Sequence, residues 1–156
     1  MKLRELLSTM KKQANFTKTM TRINTIPPSK LTDKHLIAEH REIKRVPNVV
    51  KKQKEVKDIP ETFRMGTGHV KFFYDKLGFL KNRYEEIYKE CINRGFNVTY
   101  YGNAWDGVPE YLMNDWTPTE ESIQLIEQRI KQRLDEQRKR DEERTIEKRL
   151  RKREHV

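Results

Sequence analysis

Through HVKFFYDKLGFLKNRYEEIYKECINRG, the residues Val70, Phe73, Leu77, Leu80, Tyr84, Ile87 and Cys91 recur at steps of three and four. That spacing lines them along one face of an α-helix and leaves the charged residues between them to water. Gly95 comes after the last apolar position and suits the left-handed residue that closes a helix. A long amphipathic helix over 70–94 is therefore the element the rest of the chain has to pack against. Only 34% of the residues are hydrophobic while 37% are charged, so the core it nucleates is small and many other faces are solvated.

Two further helices are expected. Pro27 and Pro28 stop regular structure, Ser29 or Thr32 can cap the next helix, and Leu36, Ile37, Ile43, Val46 and Val50 supply its apolar face over about 30–56. Pro47 falls inside that pattern. Its missing N–H and its ring predict a kink or break near Arg45 or Val46. Thr117 or Thr119 caps the third helix, over 118–135, where Glu120 and Glu121 suit the positive end of the dipole and Ile123, Ile126, Ile130 and Leu134 form the stripe. Between these elements, Pro60, Gly66 and Gly68 mark a connecting loop, and residues 96–118 form a long loop rich in aromatic and turn residues. Beyond Leu134 the sequence is almost wholly charged, with Ile146 and Leu150 as the only anchors, and forms an exposed single helix or no fixed structure. Residues 1–19 carry five basic residues and one acid, with Leu3, Leu6, Leu7 and Met10 at helical spacing. The expected organisation is an all-α, compact single domain of three main helices with long loops over 20–135, an N-terminal extension over 1–19, and a charged helical or disordered tail over 136–156.

The chain's 156 residues suit one modest core. No run approaches the roughly 20 apolar residues that span a bilayer, and no apolar signal region opens the chain, so an intracellular protein is expected. The single cysteine, Cys91, excludes an internal disulfide framework and a multi-cysteine zinc site, and its place in the helical stripe makes it a small core residue. Thirty-four Lys and Arg against 24 Asp and Glu give a formal charge of +10, which favours phosphate polyanions.

Several short motifs bear on chemistry. GTGH at 66–69 has glycines like a phosphate loop, but no strand precedes it, and it reads as a tight loop before a helix. His35 and Glu39 are one turn apart beside His40, yet the spacing of a zinc-binding HExxH helix is missing, so no metal is expected. In HLIAEHREIKRVP, Arg41 and Arg45 share a helix face, with Glu42 between them in sequence. Two readings stand for this stretch: a solvated face with helical ion pairs, or two arginines clamping phosphates while one carboxylate serves as acid or base. No Ser, Cys and His arrangement offers a nucleophilic triad.

Taken in order, MTRIN at 20–24, HLIAEHREIKRVP, GTGHVKFFYDKLGFLKNR and ECINRGFN resemble the pyrimidine dimer DNA glycosylases, the phage endonuclease V-like family, over roughly residues 20–134. The resemblance implies a compact three-helix domain that removes the base of a UV-induced dimer from duplex DNA and then cleaves the abasic strand by β-elimination. It places the nucleophilic α-amine on Thr21 and the catalytic glutamate at Glu42. It assigns DNA contacts to Arg22, Arg41 and Arg45, with Arg129 and Arg133 on the last helix and His35 near the DNA, and it implies no cofactor and a monomer. It also places the protein in the cytoplasm or nucleoid of a bacterial or virus-infected cell. His69 is expected to anchor the loop ahead of the second helix.

An α-amine titrates near 8 where a lysine titrates near 10.4, so at neutral pH far more of it is unprotonated and able to attack the sugar C1′. The imine so formed acidifies the C2′ proton, and Glu42 is suited to stabilise charge on the sugar and assist proton transfer. Reaching C1′ requires bent DNA with an extrahelical nucleotide. Two features depart from the family. The tail QRLDEQRKRDEERTIEKRLRKREHV has no aromatic residue, which leaves Tyr100, Tyr101, Trp105, Tyr111 and Trp116 either to stack on bases or to pack the core. The 19 residues ahead of Met20 would give Thr21 an amide nitrogen, which cannot form an imine. Translation from Met20 with methionine removal, proteolysis after Met20, and an extended form that keeps DNA binding without chemistry are the three accounts of this; the last is the alternative function, a catalytically silent DNA-binding or packaging protein. Lys18 as a substitute nucleophile is disfavoured by its ordinary basicity.

Overall fold

A computed structural model describes residues 21–155. The extension over 1–19, its amphipathic pattern, and Met20 lie outside the described residues. The described chain is all-α and divides into a helical body up to Pro118 and a C-terminal helix from Thr119.

In the body, helix α1 spans Asp33–Glu42 and helix α2 Arg45–Lys52. The Thr32 side chain caps α1 by accepting from the His35 N–H, and Asp33 in the first turn suits the dipole. The expected break falls at Ile43 and Lys44, just ahead of the place the proline suggested. Pro47 itself sits in the first turn of α2, where the missing N–H has no intrahelical acceptor, so it begins a new helix instead of kinking an old one. The second piece stops at Lys52, short of 56. The buried residues of α1 and the turn after it are Leu36, Glu39, His40 and Ile43. Ile37, expected in the stripe, is 38% exposed because the i, i+3, i+4, i+7 face passes it by.

Helix α3 spans Leu77–Asn93 and packs on α1, with Leu77, Leu80, Tyr84, Ile87 and Cys91 buried. The expected start at 70 is corrected. Residues Lys71–Phe73 form a 3₁₀ turn, and Lys76 leaves helical geometry at φ −126°. Tertiary contacts set this boundary: the Phe79 N–H donates to the Asn114 carbonyl at 3.1 Å, so a loop supplies an acceptor at the new helix start. That approach requires Gly78, where a Cβ would lie 2.6 Å from the Met113 carbonyl oxygen. Phe72 and Phe73 turn into a ring cluster with Phe63, Phe79 and Trp116. At the other end Gly95 (φ +81°) closes α3: its N–H reaches the Ile92 carbonyl, and the Phe96 N–H reaches that of Cys91. Next to it, Arg94 donates to the Pro28, Ser29 and Leu31 carbonyls and pairs with Asp33, fixing the turn that feeds α1. The loop after Gly95 carries 3₁₀ turns at Gly102–Trp105 and Glu110–Leu112, and the Trp105 indole donates to the Leu77 carbonyl at 3.0 Å.

Helix α4 runs without interruption over Glu120–Glu154. Thr119 caps it by accepting from the Ser122 N–H, and the Ser122 hydroxyl donates back to the Thr119 carbonyl. Ser122 and Ile126 are buried, whereas Leu134, Ile146 and Leu150 are exposed. The charged tail is thus helical through Glu154, with Ile146 and Leu150 each more than half exposed.

Candidate active site

Residues 21–26 lie outside any helix and, Arg22 apart, are buried: Thr21 is 7% exposed and Ile23 is fully covered. Three polar side chains from other elements hold this segment. The first is His69 in the GTGH loop, whose Nε2 accepts from the Ile23 N–H at 2.8 Å while Nδ1 lies 2.8 Å from the Arg64 carbonyl. A backbone N–H can only donate and a carbonyl can only accept, so the two contacts together fix the proton on Nδ1. Burial pushes the His69 imidazolium down to about 4 from the ordinary 6.5, against the opposing pull of the Arg64 carbonyl. His69 therefore anchors its loop, as expected, and also anchors the start of the described chain.

The second and third are Glu39 on α1 and Arg83 on α3, a buried ion pair with side chains 1% and 5% exposed. Glu39 Oε1 accepts from the Asn24 N–H at 3.2 Å, from Asn24 Nδ2 at 2.6 Å and from Arg83 Nη2 at 3.0 Å, and its Oε2 accepts from Arg83 Nε. Arg83 Nη1 donates onward to the Ile26 carbonyl at 2.9 Å. A buried carboxylate is tolerated only when its lone pairs are filled in this way. Glu39 is accordingly committed to Arg83 and Asn24, not to a metal site with His35. Among the described residues no group of three His, Cys, Asp or Glu side chains could hold a metal ion.

Glu42 lies one turn beyond Glu39 on α1. Its side chain is 16% exposed and stands 3.6 Å from the guanidinium of Arg41, which is 62% exposed. The Asn24 to Glu39 hydrogen bonds tie the segment beginning at Thr21 to the same helix, three residues before Glu42. Thr21 itself is three residues before Asn24, a reach of about 10 Å at most. Thr21 and Arg22 are thereby tethered within a few residues of a contact with the helix that carries Arg41 and Glu42. Arg45 opens α2 immediately after the break and is exposed. His35 is taken up in the α1 cap, with Nδ1 2.6 Å from the Thr32 hydroxyl. Arg129 and Arg133 are half-buried positions one turn apart on α4.

An aromatic cluster gathers around His40 of α1. Tyr84 and His40 meet at 3.2 Å, and the Tyr101 N–H donates to the Tyr84 hydroxyl at 2.5 Å. Burial raises the Tyr84 phenol to about 12, and burial followed by the neighbouring Lys44 lowers His40. Lys44 rests 3.4 Å over the Tyr101 ring. Of the aromatics open to either use, Trp105 and Trp116 pack inside the body, while Tyr100 and Tyr111 are 40% and 68% exposed.

No helix among the described residues is long and apolar enough to cross a membrane. Sequence reasoning missed Asn24 and Arg83 and read Glu39 only as a metal candidate. The signal available was a charged residue on the buried face of each of two amphipathic helices. The family model for pyrimidine dimer DNA glycosylase matches residues 20–101, just over half of the 156. That span contains Thr21, Arg22, His35, Arg41, Glu42 and Arg45 together with the Glu39, His69 and Arg83 framework, while Arg129 and Arg133 lie beyond it. The chain belongs to the pyrimidine dimer DNA glycosylase family, whose members are DNA repair enzymes acting on DNA.

Proposed function

We propose that the protein excises UV-induced pyrimidine dimers from duplex DNA and cleaves the resulting abasic strand, with the Thr21 α-amine as nucleophile and Glu42 assisting. The observation that supports this most directly is the hydrogen bonding of Asn24 to Glu39, which ties the segment starting at Thr21 to the helix that carries Glu42. The uncharged amine attacks the sugar C1′ and the bond from C1′ to the base breaks. The attached nitrogen gives up a proton, its lone pair opens the sugar ring by breaking the C1′–O4′ bond, and the ring oxygen takes up a proton, which leaves C1′ joined to the Thr21 nitrogen as a protonated imine. A proton then leaves C2′ and the 3′ phosphate departs, after which water releases the sugar from the enzyme. Glu42, next to Arg41 and only partly exposed, offsets positive charge on the sugar and moves these protons in this reading.

Arg22, Arg41 and Arg45 contact phosphates and hold the bent duplex, with Arg129, Arg133 and His35 as further DNA contacts. Such contacts position the DNA without reading its sequence. The enzyme works as a monomer inside the cell, needs no cofactor, and takes abasic duplex as well as dimer-containing duplex. The reaction requires the Met20 to Thr21 bond to be absent in the working form.

Borohydride reduction of the imine on abasic duplex tests this. Protein whose first residue is Thr21, released from the full chain by cleavage after Met20, should be trapped as a covalent adduct, and the uncleaved chain should not. An equal adduct from the uncleaved chain would refute the α-amine. No adduct from either form, with duplex binding retained, would favour a DNA-binding protein without the chemistry.

A further inference from the structure

The segment that carries Thr21 is held far more elaborately than its length demands. Two consecutive backbone N–H groups, those of Ile23 and Asn24, are each received by a buried side chain from a different part of the chain, His69 in one case and Glu39 in the other. The Asn24 side chain is captured by the same carboxylate, and Arg83 spans from that carboxylate to the Ile26 carbonyl. Stability alone does not account for this arrangement, because a buried ion pair gains little over a packed apolar replacement. It supplies direction instead. A hydrogen bond to each of two adjacent amides fixes the course and rotation of the backbone in a way that apolar contact with Ile23 cannot.

Direction matters for an amine that must approach a carbon along a defined line, since a misplacement of about 1 Å can cost roughly a hundredfold in rate. Neither His69 nor Glu39 is available to the DNA, being 2% and 1% exposed. We propose that His69 and Glu39, with Arg83 behind Glu39, are positioning residues for imine formation: they hold Ile23 and Asn24 so that the Thr21 amine meets C1′ in one orientation. The proposal rests on the reading of Thr21 as nucleophile.

The test uses protein freed at Thr21 from the full chain, with three variants. His69→Phe keeps a ring but removes the acceptor for Ile23. His69→Gln restores an acceptor and a donor. Asn24→Ala removes only the side-chain bond to Glu39 and leaves the ion pair intact, so it reports on the segment even where the phenylalanine variant fails to fold. Three quantities are measured for each folded variant: affinity for abasic duplex, the single-turnover rate of borohydride-trapped adduct, and the rate at which formaldehyde with borohydride methylates the Thr21 amine. We expect His69→Phe and Asn24→Ala to slow adduct formation about ten- to a hundredfold with affinity held within about threefold, and His69→Gln to recover most of the rate. Methylation should be unchanged, because a small aldehyde needs no fixed approach. Unchanged adduct rates in the folded variants would overturn the proposal. So would equal losses in adduct and methylation rates, which would point to simple burial of the amine. If the unsubstituted freed protein forms no adduct at all, the nucleophile assignment itself fails and this proposal falls with it, an outcome distinct from variant-specific loss.

Discussion

Acid should loosen this fold through His69, and one substitution should remove the effect. The neutral ring accepts from the Ile23 N–H and donates to the Arg64 carbonyl, so protonating Nε2 would set a proton against the Ile23 N–H. Only the Arg64 carbonyl favours the charged ring, and burial outweighs it. Phe63 and Phe73 stand edge-on to it, and the charge of Arg22 adds to burial in disfavouring the imidazolium. In the unfolded chain the ring takes its proton near 6.5, and in the folded state only near 4. Between those values the unfolded state binds more protons, so stability falls as the pH falls. At about 1.36 kcal/mol per pH unit the separation is worth about 3 kcal/mol in full, with about 2 kcal/mol already lost at pH 5. His69 is 2% exposed, so solvent screening takes little from this figure.

Urea denaturation of the parent and of His69→Gln from pH 7 to pH 4 measures it. Glutamine offers one donor and one acceptor, as the neutral imidazole does, and does not titrate. Other groups, the lowered His40 among them, titrate in both proteins and cancel in the difference. The variant should gain on the parent by about 3 kcal/mol across this range. Parallel curves would refute a neutral, doubly bonded His69 in the folded state.

Glu42→Gln in protein freed at Thr21 should reduce dimer excision by roughly a hundred- to ten-thousandfold while leaving duplex affinity nearly intact, read by single-turnover excision and by anisotropy. Arg41→Ala and Arg45→Ala should weaken binding evenly across DNA sequences and each lower the slope of log affinity against log salt by about 0.9, if each removes one phosphate contact. Gly78→Ala should destabilise the body by about 1–3 kcal/mol in thermal unfolding, because its Cβ would fall 2.6 Å from the Met113 carbonyl, a backbone atom that has little room to give.

How far the sequence discloses this molecule depends on the range of the interactions involved. The centre of α3 was legible because its apolar face repeats locally, and so were the caps at Thr32, Thr119 and Gly95, which act within a turn of themselves. The start of α3 was not, because it depends on a carbonyl at Asn114, 35 residues further along the chain than Phe79. The buried framework sits between these cases. Glu39 and Arg83 are 44 residues apart, yet each occupies a stripe position, Glu39 with Leu36 and Ile43, Arg83 with Leu80 and Ile87. Opposite charges on the buried faces of two helices that must pack together are expected to find each other, since either one alone would be a costly buried charge. Periodicity could therefore have paired them.

It could not have singled out Arg41, Glu42 or Arg45, which lie off the buried face and carry the same pattern as any solvated helix. Their proposed roles rest on the family and on the hydrogen bonds that join Asn24 to Glu39 of the same helix region. Helix periodicity reports burial, and on this chain the groups that hold Ile23, Asn24 and Ile26 are buried while the groups proposed to meet DNA are not. Glu39 and Arg83 are for that reason the part of the framework that physical patterning can recover, and the residues proposed to face DNA are the part that needs the family resemblance.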